Sequence, residues 1–259
     1  MLSIFLGAFI TGTIHPLMKV MCACLSGGLI AAGANAINDF YDIEIDKINK
    51  PNRPIAAGII RPGEAFIVSI IFFLIGVTLG YLVNWKAFIV SGASALLLYY
   101  YSFRLKRTVL WGNLSVSFVT ALAFIYGGIA VDRLSYALIP ATFSFFYHLG
   151  REIIKDVEDV KGDRADHIVT LPIAYGEKLA LQIAAAVYVF LIVLTFLPYL
   201  FKIFGIYYLL TVLMIVDFVI LYVIYSAWRN PEAKNLSRLS MILKLNMFAG
   251  LIAIYLGKY

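Results

Sequence analysis

The chain has 259 residues, of which 62% are hydrophobic and only 14% charged, against roughly 25% charged in soluble domains. That composition excludes a solvated globular enzyme. The net charge of +6 reads as membrane topology, because the chain lacks the solvated basic surface of a nucleic-acid binder. Cys22 and Cys24 stand i, i+2 in an apolar run and imply neither a disulfide nor a zinc site.

Several apolar runs approach or exceed the ~20 residues that cross a bilayer as a helix. Backbone polar groups in lipid must pair within the segment, so strands are not expected there. The expected fold is an all-α, polytopic membrane bundle forming one domain over residues 1–259. Residues 1–14 are apolar but short, have no basic leader, and read as a half-length helix or as the tail of a first helix whose start is missing. Full spans are predicted at 17–37, 65–83, 87–101, 110–131, 134–154, 179–200, 205–228 and 239–256, giving about nine transmembrane helices. Polar loops are predicted at 47–64 and 155–176.

Loop charge predicts the orientation. Lys and Arg gather at 47–61, 104–107, 155–178 and 229–238, all on one side if the spans alternate. The other side holds little beyond Lys86, Arg133 and Lys202. The positive-inside rule makes the basic side cytoplasmic in a multi-pass cell-membrane protein.

The acidic residues are not spread out. Of the 15 Asp and Glu, four fall at 39–46 and six at 152–166. Asp39, Asp42 and Asp46 follow D-x-x-D-x-x-x-D, and Asp156, Asp159 and Asp163 repeat that spacing. The chain therefore reads as two weakly related halves, each with an Asp-rich motif (38–46 and 156–163). On a continuing helix Asn38, Asp42 and Asp46 form one stripe, where like charges repel unless a cation intervenes. Mg²⁺ accepts one or two carboxylates and completes its shell with water and phosphate oxygens. Lys and Arg on the same face add charge-assisted contacts to phosphate. Two carboxylate clusters at the mouth of an apolar bundle suit a polyprenyl diphosphate, with its head at the cytoplasmic rim and its tail between helices. Reaction then means ionisation of the allylic C–O bond in a dry pocket.

The run Asn38-Asp39-x-x-Asp42-x-x-x-Asp46, followed by Lys50-Pro51-Asn52-Arg53-Pro54 and Gly63-Glu64-Ala65, resembles the first signature of the UbiA-type intramembrane prenyltransferases. Lys155-Asp156-x-x-Asp159-x-x-Gly162-Asp163 resembles their second. Tyr101 with Lys106-Arg107 and Gly112-Asn113 looks like the loop between their fourth and fifth helices. The resemblance implies two Mg²⁺ ions. Asn38, Asp42 and Asp46 would serve one and Asp159 and Asp163 the other, with Asp39 and Asp156 flanking. Asp42, Asp46, Asp159 and Asp163 would then be the catalytic carboxylates. Asn38, Lys50, Arg53, Tyr101, Lys106, Arg107 and Asn113 become candidates for binding the diphosphate. Arg151, Lys155 and Lys161 are candidates for a phosphate on the acceptor. Within the family the texture is most like archaeal ether-lipid enzymes. That implies transfer of geranylgeranyl from its diphosphate to a lipid-phosphate acceptor, geranylgeranylglyceryl phosphate. An aromatic or quinone-precursor acceptor is the alternative.

Other polar residues read more blandly. Glu44 and Glu158 fall off the Asp stripe and are expected to face solvent. His148 is expected to bond between helices. Asp217, in mid-span, is expected to pair with Lys244. Tyr99, Tyr100, Tyr126 and Tyr147 are candidates to line a prenyl channel. A cation transporter is the rival from another class, but its acids belong near the midplane, where only Asp217 qualifies. A CDP-alcohol phosphotransferase needs Asp-Gly-x-x-Ala-Arg, which neither motif contains.

Overall fold

Apolar segments of this length close their hydrogen bonds internally. The computed structural model, which describes residues 1–165 and 168–257, contains helices and turns and no strand among those residues. In order they are α1 (Leu2–Ile10), α2 (Leu17–Tyr41), α3 (Ile43–Asn49), α4 (Pro62–Val83), α5 (Trp85–Phe103), α6 (Trp111–Ala130), α7 (Leu138–Ala165), α8 (Leu171–Tyr175), α9 (Glu177–Leu200), α10 (Ile206–Thr211), a π-helical turn (Val212–Asp217), α11 (Phe218–Arg229) and α12 (Ala233–Leu256). Each of the nine apolar stretches lies on helix. Among the described residues, six helices are long and apolar enough to cross a membrane: α2, α4, α6, α9, the α10–α11 unit and α12.

Several boundaries differ from the sequence reading. Helix α4 begins at Pro62, where a missing N–H costs nothing, and the Glu64 carboxylate accepts the Arg61 N–H at 3.1 Å. Helix α12 begins at Ala233 and α9 at Glu177. The largest correction concerns α7. Residues 155–165 continue this helix, so the second acidic motif is helical and not part of a loop. Charges spaced i, i+3 and i, i+4 with no proline to break them extend a helix readily. Pro140 sits in the first turn of α7, where it leaves the hydrogen-bond ladder intact.

Small residues bring the helices together. In lipid, close van der Waals approach replaces the hydrophobic drive between helices. Ser26 donates to the Gly76 carbonyl at 2.7 Å, and Ser69 donates to the Gly33 carbonyl at 2.9 Å, locking α2 to α4 twice. A Cβ at Gly127 would lie 1.9 Å from the Ile4 carbonyl oxygen, so glycine there seats α1 against α6. In the second half, Tyr147, Ile153, Tyr188, Ile220, Leu236 and Leu239 share one buried cluster built from α7, α9, α11 and α12. Tyr147 donates to the Leu243 carbonyl at 2.8 Å and fixes the register of α7 on α12.

The π turn was invisible in the sequence. It places Asp217, 3% exposed, to accept from Thr195 at 3.2 Å, while Asn246 donates to the Val216 carbonyl at 3.1 Å. The expected Asp217–Lys244 pair is therefore not formed: Thr195 takes the carboxylate, and Lys244 lies exposed on another face of α12.

Candidate active site

The first motif straddles the α2–α3 junction. Asp42 interrupts the helix for one residue (φ −100°, ψ 10°), yet its N–H reaches Asn38 O at 2.9 Å and the Asp46 N–H reaches Asp42 O at 2.7 Å. The stripe expected from an unbroken helix therefore survives. Asn38 donates to Asp42 at 2.7 Å, and Asp46 is 4% exposed.

Two cations balance this motif. The turn after α3 folds back and brings Arg53 between Asp39 and Asp46, bonding each at 2.7 Å. Lys106, from the 3₁₀ turn Leu105–Arg107, pairs with Asp42 and lies 3.5 Å from Asn38. Burial pulls the Lys106 ammonium below its ordinary pKa against the opposing pull of Asp42. Gly112 makes this approach possible, since a Cβ there would stand 2.9 Å from Lys106 Cα and 3.0 Å from the Leu105 oxygen.

The second motif is balanced differently. Asp156 accepts from Asn113 on α6 at 2.8 Å, and Asp163 faces Thr170 at 3.5 Å. The nearby cations are committed elsewhere: buried Glu152 takes Arg151 at 2.8 Å and Lys155 at 3.4 Å. Beyond the apolar part of α7, burial pushes Asp156 up to about 8, against the Asn113 bond. Burial and the charges of Asp159 and Asp42 push Asp163 up to about 7. Helix α3 packs against α7, so the two motifs face one another and the charge of Asp42 is felt at Asp163. Tyr101, on α5, lies where the fields of Asp42, Glu152, Asp156 and Asp163 meet.

The remaining candidates are more peripheral. Lys50, Arg107 and Lys161 are exposed at the same end of the bundle. Glu44 is exposed and pairs with Lys47 at 2.7 Å. Glu158, expected in solvent, is instead half-buried against Ser237. His148 makes no hydrogen bond among the described residues, contrary to the expected helix-to-helix bond, and its ring packs edge-on to Tyr147. Asp166, part of the acidic run, lies outside the described residues. Glu152 was the residue that sequence reasoning undervalued. Its signal was position, one α-helical turn before Asp156 on the same stripe.

Among the described residues, no three Asp, Glu, His or Cys side chains converge closely enough to hold a metal ion as they stand. The donor set nevertheless fits Mg²⁺. It is all oxygen and rich in carboxylates, and among the described residues no cation is paired with Asp156, Asp159 or Asp163. Asn38, Asp39, Asp42 and Asp46 would supply one donor group, and Asp156, Asp159 and Asp163 the other.

Apolar space lies along α7 and α2, the helices that carry the motifs. A cavity of about 290 Å³ lies beside α7 and α12, and Tyr147, His148, Phe143 and Phe248 are among its lining residues. A second, of about 170 Å³, lies between α2, α5 and α6 and includes Leu98 and Tyr126. Tyr100, one of the expected channel residues, is 46% exposed.

Residues 1–249 match the UbiA prenyltransferase family. The chain is 39% identical over 261 residues to digeranylgeranylglyceryl phosphate synthase of Sulfurisphaera tokodaii, covering 99% of this chain and 92% of that protein. It is 37% identical over 229 residues to the Methanosphaera stadtmanae protein of the same name, covering 88% and 84% respectively. A solved structure concerning digeranylgeranylglyceryl phosphate synthase in membranes superposes with a TM-score of 0.77 at 33% identity, over 99% of this chain and 91% of that one. An Archaeoglobus fulgidus UbiA homologue bound to GPP and Mg²⁺ shares the fold, with a TM-score of 0.67 at 21% identity over 98% of this chain and 96% of that one. With its two facing Asp motifs on an all-helical membrane frame, this chain belongs to the UbiA prenyltransferase family.

Proposed function

We propose that the protein transfers a geranylgeranyl group from geranylgeranyl diphosphate to geranylgeranylglyceryl phosphate, making digeranylgeranylglyceryl phosphate and diphosphate. The observation that carries this reading is the pair of facing Asp motifs with Arg53 and Lys106 among them, beside apolar cavities. The names of the relatives support the choice of acceptor.

Mg²⁺ held by the two motifs would neutralise the diphosphate and stabilise its departure. This chain's own residues do the rest. Lys106 and Arg53, with Lys50 and Arg107 at the rim, bind the diphosphate oxygens. Their hold on the leaving group strengthens as negative charge builds there. Tyr101 stands between the motifs and orients the head group. Apolar walls hold the chain and exclude water from the allylic cation. The allylic C–O bond breaks with its electron pair leaving on diphosphate. A glycerol hydroxyl oxygen bonds to that carbon, and its proton passes to the departing diphosphate.

In this reading all nine apolar helical units enter the membrane. The basic loops place both motifs on the cytoplasmic side. The two motifs mark two weakly related halves.

The test is a product assay. Purified protein in detergent receives geranylgeranyl diphosphate, Mg²⁺ and geranylgeranylglyceryl phosphate, with Asp42→Ala and Asp163→Ala alongside. Metal-dependent formation of the doubly prenylated lipid, lost in both variants, is expected. Diphosphate release without that lipid would move the acceptor to the aromatic class. Asp-dependent cation flux in liposomes without transfer would overturn the enzyme reading.

A further inference from the structure

We propose that the cavity between α7 and α12 is the acceptor-lipid site and that Lys244 is its phosphate-binding residue, with His148 beside it. The assignment rests on the function proposed above and names a subsite for it.

The cavity has a polar end and an apolar body. Helices α7 and α12 run antiparallel: Tyr147 bonds to the Leu243 carbonyl, and one turn nearer the acidic motif Arg151 reaches the Ser240 carbonyl at 3.4 Å. His148 and Lys244 therefore lie at one level, at the end of the cavity nearest the Asp motifs. The lining away from them is mostly apolar, through Phe143, Pro140, Leu251 and Ile254, with hydroxyls from Ser3, Ser144, Thr195 and Tyr208, and no carboxylate lines the cavity.

Lys244 has no ion pair among the described residues, and the nearest expected partner, Asp217, is engaged by Thr195. It lies eleven residues from the start of α12 and twelve from its end, roughly 16–18 Å along the axis from either. It is also five residues inside the apolar 239–256 run, roughly 7.5 Å, so its stem keeps the charge on the side of the bundle that holds the Asp motifs. An unpaired cation on the wall of a cavity without carboxylates is open to an anionic ligand. The bound lipid's phosphate supplies the anion, and the apolar body of the cavity takes its isoprenoid chain. His148, with no hydrogen bond among the described residues, is available to the same oxygens. The eight residues from His148 to Asp156 correspond to roughly 12 Å along α7. That separation keeps the phosphate of the acceptor apart from the donor's diphosphate and leaves the glycerol between them.

The test compares geranylgeranylglyceryl phosphate with its neutral counterpart, geranylgeranylglycerol, on wild-type, Lys244→Met and Lys244→Arg proteins. Lys244→Met is expected to raise KM for the phosphorylated acceptor by about tenfold or more, the cost of one charge-assisted contact. KM for geranylgeranyl diphosphate should stay unchanged, Lys244→Arg should restore the acceptor KM, and the Met variant should treat the two acceptors alike. Calorimetric binding of both lipids without donor gives a readout independent of turnover. Wild-type transfer with undiminished phosphate preference in Lys244→Met would overturn the subsite and leave the function standing. Phosphate-selective binding that depends on Lys244, without transfer, would overturn the function and leave the subsite.

Discussion

The two acidic motifs share one spacing and differ in what balances their charge. The first holds its carboxylates against Arg53 and Lys106, both delivered from outside its own helix. The second relies on neutral donors, Asn113 and Thr170, while Arg151 and Lys155 are spent on Glu152. The same pattern of aspartates thus yields a charge-compensated half and an undercompensated one. The second half therefore gains more from an arriving cation, and removing a carboxylate should have opposite effects on folding in the two halves.

The strongest way to break this contrast is Asp163→Asn beside Asp46→Asn. Both should lose about a hundredfold or more in transfer rate, as expected for groups that hold the reacting charge. In metal-free thermal unfolding they should part: Asp46→Asn lowers Tm because Arg53 loses a buried partner, whereas Asp163→Asn raises it by relieving repulsion from Asp159 and Asp42. Shifts of the same sign would end the distinction.

Arg53→Ala tests the compensated half directly. It leaves the buried Asp46 unpaired, at a cost of about 1–3 kcal/mol, below the fully buried range because Arg53 is itself 30% exposed. Millimolar Mg²⁺ should recover most of the lost Tm. Failure to recover would show that the first motif needs the guanidinium for more than its charge.

Gly112→Val displaces the turn that carries Lys106. A loss of about tenfold in kcat/KM for the diphosphate is expected, since small misplacements of binding groups are costly. Asn113→Ala, in the other half, should weaken Mg²⁺ dependence by about tenfold through loss of support for Asp156. The mildest expectation is Ser26→Ala, far from both motifs. It should cost about 0.6 kcal/mol and leave transfer unchanged.

Much of this was legible in the residues. The Asp spacing, the apolar periodicity and the basic loops were enough to read an all-α bundle with both motifs at one end. The family likeness then followed from motif positions. What the sequence withheld was three-dimensional partnership. Arg53 reads as one loop cation among several, and only the turn after α3 shows it bridging Asp39 and Asp46. Asp217 and Lys244 look like natural partners by charge and depth. The π turn rotates Asp217 towards Thr195 instead, and a one-residue insertion of that kind leaves no mark on hydropathy. The helical continuation of α7 to Ala165 was misread because charge density resembles loop composition.

The lining of the cavity beside α7 and α12 includes Phe248, which is 55% exposed. In the proposed acceptor site, a bound chain would exchange with the surrounding bilayer sideways, without passing through water. The substrate quantity that governs this enzyme is then its mole fraction in the membrane plane. Diluting the acceptor with inert lipid should slow the reaction even when its amount per volume is constant, and product is handed back to the same two-dimensional phase from which the substrate came.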